Sequence, residues 1–207
     1  MSVRGKLATA LGRNDERPNV ELAEALAAKA NPAAVNELVQ LLTAGTLAEQ
    51  NDAIKVLYEL GERTPEAITA HADAFLALLR SRNNRNVWGA MSAIDTIATA
   101  QPKAVAAALK DILAAADKGS VIAKDKAMST LGKLALAGEP KAMPALLERL
   151  ETAAVNQFPM YAEVALPAVT PAHRAKFQAI LERRLPDLPP AKQARVQRVL
   201  RKLGKSS

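Results

Sequence analysis

The chain has 207 residues and a mass of 22.0 kDa, with 49% hydrophobic and 24% charged residues, enough to bury a sizeable core in one domain or one short repeat array and too long for a tiny stapled fold. With no cysteine it can hold no disulfide, thiolate metal site or cysteine nucleophile, and its longest apolar runs, such as Ala104 to Leu109, are too short to cross a bilayer. Aromatic residues make up 3% against 44 alanines, a mixture that packs helices at close range and offers strands little, so an all-α protein is expected.

In chain order, Met1-Ser-Val-Arg-Gly-Lys-Leu7 carries no apolar stretch of signal-peptide length, and a cytoplasmic location is expected. A flanking helix is expected over residues 3 to 12. Then a period of about 37 residues begins: Ala53-Ile-Lys-Val-Leu-Tyr-Glu-Leu60 aligns without gaps on Ala90-Met-Ser-Ala-Ile-Asp-Thr-Ile97 and on Ala127-Met-Ser-Thr-Leu-Gly-Lys-Leu134. The first, second, fifth and eighth residues of each copy are apolar, the stripe of a helix with one buried face. These are the A helices.

Each is followed by a short polar turn and a proline, in Pro65-Glu-Ala-Ile, Pro102-Lys-Ala-Val and Pro140-Lys-Ala-Met. Proline in the first helical position loses no hydrogen bond and presets φ, so these open B helices. Their stripes are Ile68, Ala72, Phe75, Leu76 and Leu79 in one copy, and Val105, Ala108, Leu109, Ile112 and Leu113 in the next. Pro32-Ala-Ala-Val and Pro171-Ala-His-Arg fit the same slot with looser spacing. One domain over residues 1–207 is therefore expected, with units at roughly 20–45, 46–82, 83–119, 120–154 and 155–185 and a basic cap helix at 190–203. A single helix pair cannot hide both stripes, whereas stacked pairs form a continuous core.

At Lys126-Ala-Met-Ser-Thr-Leu-Gly-Lys-Leu134 and Gly138-Glu-Pro-Lys-Ala-Met-Pro-Ala-Leu-Leu-Glu-Arg-Leu150 the sequence resembles a HEAT repeat, and Gly119-Ser-Val-Ile-Ala-Lys-Asp125 resembles the turn that often precedes one. The resemblance to the HEAT-like, armadillo-type family implies a right-handed α-α superhelix, a HEAT-like solenoid of about five helix pairs with capping helices. It leaves function open, because the family spans scaffolds, adaptors, nucleic-acid binders and a few enzymes.

The net charge of +7 is unevenly spread. Residues 1–170 hold 18 basic and 19 acidic side chains, and residues 171–207 hold 10 and 2. On the last helix Val196, Val199, Leu200 and Leu203 share one face, while Arg195, Arg198, Arg201, Lys202 and Lys205 spread over the other. Together with Arg183 and Arg184 these are either a solvated cap or a patch that binds phosphate or an acidic partner. On the B helices, expected to line the concave surface, Glu66, Asp73 and Arg80 are followed by Lys103, Lys110 and Asp117, then Lys141 and Glu148. Mixed signs suit a protein partner better than a phosphate backbone.

Trp88, in Arg80-Ser-Arg-Asn-Asn-Arg-Asn-Val-Trp88, occupies the position of Asn51 and Asp125 in the neighbouring copies. Two readings stand for it: a core filler, or a partly exposed anchor flanked by Arg82 and Arg85. Trp88, Ser92 and Asp95 on one helix face bear a thin likeness to the HEAT-like alkylpurine-DNA glycosylases, without a second tryptophan. His71 and His173 read as surface or half-buried histidines, no catalytic motif is present, and no metal, cofactor or membrane partner is expected. The function expected is a non-catalytic scaffold or adaptor, binding a protein partner through its concave or ridge surface, with Arg82, Arg85, Trp88, Asp73, Arg80, Lys103 and Lys110 as the candidate contacts. Nucleic-acid binding through Arg183, Arg184, Arg195, Arg198, Arg201 and Lys202 is the alternative.

Overall fold

The computed structural model describes residues 2–205, and they contain helices and turns with no strand. The helices are α1 (Arg17–Ala28), α2 (Pro32–Ala44), α3 (Leu47–Arg63), α4 (Glu66–Thr69), α5 (Ala72–Leu78), α6 (Asn84–Ile97), α7 (Pro102–Ala107), α8 (Leu109–Lys118), α9 (Val121–Leu136), α10 (Ala142–Glu151), α11 (Phe158–Ala165), α12 (Pro171–Arg184) and α13 (Pro190–Lys205). The repeat of the sequence alignment extends to a fourth copy: α3, α6, α9 and α11 start at residues 47, 84, 121 and 158, each 37 after the last. Three of these starts are capped by residues at the same interval. Thr46 closes a capping box with Glu49, Asn83 Oδ1 accepts from the Arg85 N–H, and Ser120 Oγ accepts from the Ala123 N–H. Such a cap stabilises its helix by about 1 kcal/mol.

The fourth copy is cut short. Pro167 falls ten positions into it, cannot donate to the helical ladder, and α11 gives way to a 3-10 turn at Leu166–Ala168.

Two compact units are present, one up to Lys126 and one from Ala127 onward. In the first, α3 is the central element and packs against α1, α2 and α6. Leu38, Leu57, Leu60, Ile68, Phe75, Met91 and Ile94 are all buried there. Close approach of α3 and α6 depends on glycine. A Cβ on Gly89 would lie 2.7 Å from Ile54 Cγ1, and one on Gly61 would meet Thr96 and Ile68. In the second unit α11 packs on α10 and α13, and α12 on α10 and α13, around buried Leu146, Phe158, Phe177 and Leu181.

Two expectations are corrected. Residues 3 to 12 do not form a helix. They make a 3-10 turn at Arg4–Lys6 and then further turns, with Gly12 at φ 65°. Their amides find side chains rather than a helical ladder: Val3 N–H donates to Glu37, Ala8 N–H to Asn19 Oδ1 at 3.0 Å and Thr9 N–H to Asp52 Oδ2 at 2.8 Å. Val3, Leu7 and Ala8 are nonetheless buried, so the segment covers the end of the core without being a helix. The second correction concerns the B helices after Pro65 and Pro102, which are each broken in two. The His71 N–H reaches Ile68 O and the Ala108 N–H reaches Val105 O, three residues back instead of four. Both breaks keep the core-facing residues in place, since Ile68 and Phe75, and Val105 and Ile112, stay buried.

Candidate partner-binding surface

Helix α3 carries a second stripe besides its core face. Lys55, Tyr58, Glu59 and Glu62 follow one another at the three- and four-residue spacing of one helical face. Lys55 Nζ sits 2.7 Å from Glu59 Oε1, 3.3 Å from Glu16 Oε2 and 4.8 Å from the Tyr58 ring centre. Arg63 continues the row, 2.6 Å from Glu59 Oε2 and 3.2 Å from Glu24 Oε1. On α6, Arg85 pairs with the same Glu16, 69 residues away in sequence. Its guanidinium carbon lies 5.6 Å from the Trp88 ring centre. Trp88 in turn packs tilted against Tyr58, with ring centres 5.7 Å apart. Further along, Asp95 on α6 is 3.8 Å from Lys126 Nζ, which is 3.4 Å from Glu62.

Electrostatics favour the charged forms of Lys55 and Glu59. Burial opposes the Lys55 ammonium, but the Glu59 carboxylate and the Tyr58 hydroxyl outweigh it and keep Lys55 above its ordinary pKa. Burial likewise opposes the Glu59 carboxylate, and donors from Lys55 and Arg63 outweigh it and hold Glu59 below the usual carboxylate range. Tyr58 is pushed above the normal phenol value by burial, with Glu59 and Glu62 adding to the effect. Arg85 Nε and Asn86 Oδ1 are buried with no hydrogen-bond partner among the described residues, so the packing around Trp88 is not fully satisfied.

Trp88 is half-buried, between the two readings the sequence left open. Of the expected partner-binding residues, only Arg85 and Trp88 join this cluster. Arg82 is exposed in the turn before α6, Arg80 is exposed and pairs with Asp111 at 3.3 Å, and Asp73, Lys103 and Lys110 stand exposed on α5, α7 and α8. Glu16, Lys55, Tyr58 and Glu59 were missed. The Lys55, Glu59, Arg63 spacing of four was the available signal for three members of the row, whereas Glu16 carried none.

The basic residues of the second unit are partly engaged. Arg183 pairs with Glu151, Arg184 donates to the Glu151 and Ala153 carbonyls and lies 4.6 Å from the Phe158 ring centre, and Arg195 grips Glu163 with two bonds of 2.7 and 2.6 Å. Arg198, Arg201 and Lys202 are exposed on α13. His71 sits half-buried at the start of α5, and His173 Nδ1 lies 2.9 Å from Thr170 Oγ1. Among the described residues no group of three His, Asp or Glu could hold a metal ion, and no helix is long and apolar enough to cross a membrane.

No family model and no curated protein matches the sequence. Solved structures do. A designed armadillo repeat protein in complex with the peptide (KR)4 is similar at a TM-score of 0.68 and 17% identity, over 91% of each chain. Two engineered proteins are similar at a TM-score of 0.64, one at 19% identity over 99% of this chain and 98% of that one, the other at 22% identity over the whole of both. The fold is an α-solenoid of the armadillo and HEAT kind. Within that solenoid, the Trp88 row lies on successive long helices of the 37-residue repeat, α3, α6 and the start of α9.

Proposed function

We propose that this solenoid is a non-catalytic scaffold or adaptor that binds a protein partner through the α3 and α6 face around Trp88. The observation that carries the reading is Trp88 itself. A half-buried tryptophan packed on Tyr58 and flanked by Arg85 offers a rigid apolar anchor inside a polar rim, the arrangement that concentrates binding energy in protein interfaces. The designed neighbour that holds a peptide lends the fold-level analogy. Lys55, Arg63, Arg85 and Lys126 are all matched by carboxylates, so this face carries no run of unbalanced positive charge such as a phosphate backbone needs. Asp95, the acid a glycosylase reading would require, is buried beside Lys126. Of the phosphate-binding alternative's residues, Arg183, Arg184 and Arg195 are tied to acceptors of the fold, which leaves that reading a smaller set on α13.

The test is affinity capture from a lysate with the wild-type chain and with Trp88→Ala and Arg85→Glu, each checked for unchanged helicity by circular dichroism. At least one protein retained by the wild type is expected to drop tenfold or more with either variant. Identical captured sets for all three chains would overturn the reading.

A further inference from the structure

A separate cleft of about 500 Å³ opens in the first unit, walled by the turn after α5, the N-terminal turn of α6 and the outer side of α8. Its size is that of a site for a small ligand or a few residues of peptide. The floor is apolar, made by Leu79 and Val87, and between Asp111 and Lys118 the helix α8 presents the small side chains of Ala114 and Ala115, which leave it open. The rim is charged, with Arg80, Arg82 and Lys118 against the single carboxylate of Asp111. Arg80 and Asp111 pair at 3.3 Å, both exposed, and such a pair exchanges readily for an incoming carboxylate. The positive end of the 14-residue α6 faces the same opening and adds to the field. Neither the aromatic row nor the basic end of α13 takes part.

We infer that this cleft binds an acidic peptide segment, with carboxylate side chains on Arg80, Arg82 and Lys118 and an intervening apolar side chain on Leu79 and Val87. The alternation of charged rim and apolar floor matches a peptide's alternating side chains. Asp111 in the wall breaks the positive run that a nucleic-acid backbone would follow. An acidic partner is also steered to the mouth, because a cleft of one dominant sign with apolar walls focuses its field.

The experiment is a fluorescence anisotropy titration of the full chain with a fluorescein-labelled octapeptide alternating Glu and Leu, beside the same peptide with Lys for every Glu. The Glu peptide is expected to bind at least tenfold more tightly than the Lys peptide. Arg82→Glu combined with Lys118→Glu, both exposed and therefore tolerated by the fold, is expected to weaken it at least tenfold, and Ala115→Leu, which fills the cleft, to do the same without reversing any charge. Trp88→Ala is expected to leave it unchanged. Equal binding of the two peptides, indifference to the double reversal, or loss of binding with Trp88→Ala would each overturn the assignment. So would displacement of the peptide by duplex DNA at equal charge concentration. None of these outcomes depends on the capture experiment for the α3 and α6 face.

Discussion

Asp52 is buried and serves two partners at once, accepting from Asn19 Nδ2 at 2.8 Å and from the Thr9 N–H at 2.8 Å, while Asn19 Oδ1 takes the Ala8 N–H. A carboxylate so placed ties the irregular N-terminal segment to α1 and α3. Removing it strands the buried Asn19 amide and takes the acceptor from the part-buried Thr9 N–H, and leaving a buried donor unsatisfied costs about 1–3 kcal/mol. Asp52→Ala is therefore expected to lower stability by about 2–4 kcal/mol, read as the midpoint of urea unfolding. Asp52→Asn, which retains one acceptor, should lose less. A loss below about 0.5 kcal/mol for Asp52→Ala would mean that water satisfies the segment. Nothing in the spacing points to this pairing, since residues 9, 19 and 52 follow no common period. The same is true of Glu16 and Arg85. By contrast Lys55, Glu59 and Arg63 lie four apart on one helix, where spacing alone brings them together.

Among the elements, the long helices were legible and the short ones were not. The apolar stripe of Ala53–Leu60 and its copies reports a face buried against neighbours along its whole length, and α3, α6 and α9 contain those stretches. The stripes after Pro65 and Pro102 are compatible with a continuous helix and with a broken one, because each break leaves the seven-residue spacing of the core contacts intact. Glycine inside the long helices has a similar ambiguity. Helix propensity alone says that Gly89→Ala should stabilise α6 by about 1 kcal/mol. The contact with α3 says the opposite, since the added methyl would stand 2.7 Å from Ile54 Cγ1 in a packed core, and overpacking costs about 1–3 kcal/mol. Gly89→Ala is expected to be destabilising by about 1 kcal/mol in thermal or urea unfolding, and Gly89→Ala combined with Ile54→Val should recover part of the loss. A stabilising Gly89→Ala would show that α3 and α6 move apart at little cost.

For the whole molecule, the dependence of stability on pH follows from which charged groups are held by partners. At the acid end the carboxyls with lowered pKa matter. Glu49, hydrogen-bonded by Arg4 and by the Thr46 amide and hydroxyl, is brought down to about 2. Glu37 is lowered chiefly by the Ser2 hydroxyl and by the Val3 and Arg4 amides, and Glu163 chiefly by Arg195. A carboxyl with a lower pKa in the folded than in the unfolded state contributes stability above its unfolded value, near 4.5, and loses it as pH falls toward the folded value. Unfolding should therefore become easier from about pH 4.5 down to about pH 2. Glu49→Gln, which cannot ionise, should flatten that slope. At the alkaline end two neighbours act in the same direction. Lys55 has a raised pKa, so its stabilisation is present below its unfolded value of 10.5 and fades above it; Tyr58, also raised, resists an ionisation that the unfolded chain undergoes near 10.0. Stability should thus fall again above about pH 10, and Tyr58→Phe, by removing the ionisable hydroxyl while keeping the ring against Trp88, should reduce that loss. A urea midpoint that stays level from pH 3 to pH 11 would show that these ion pairs, on the surface and in the Trp88 row alike, leave stability unchanged and serve only to hold side chains in place for a partner.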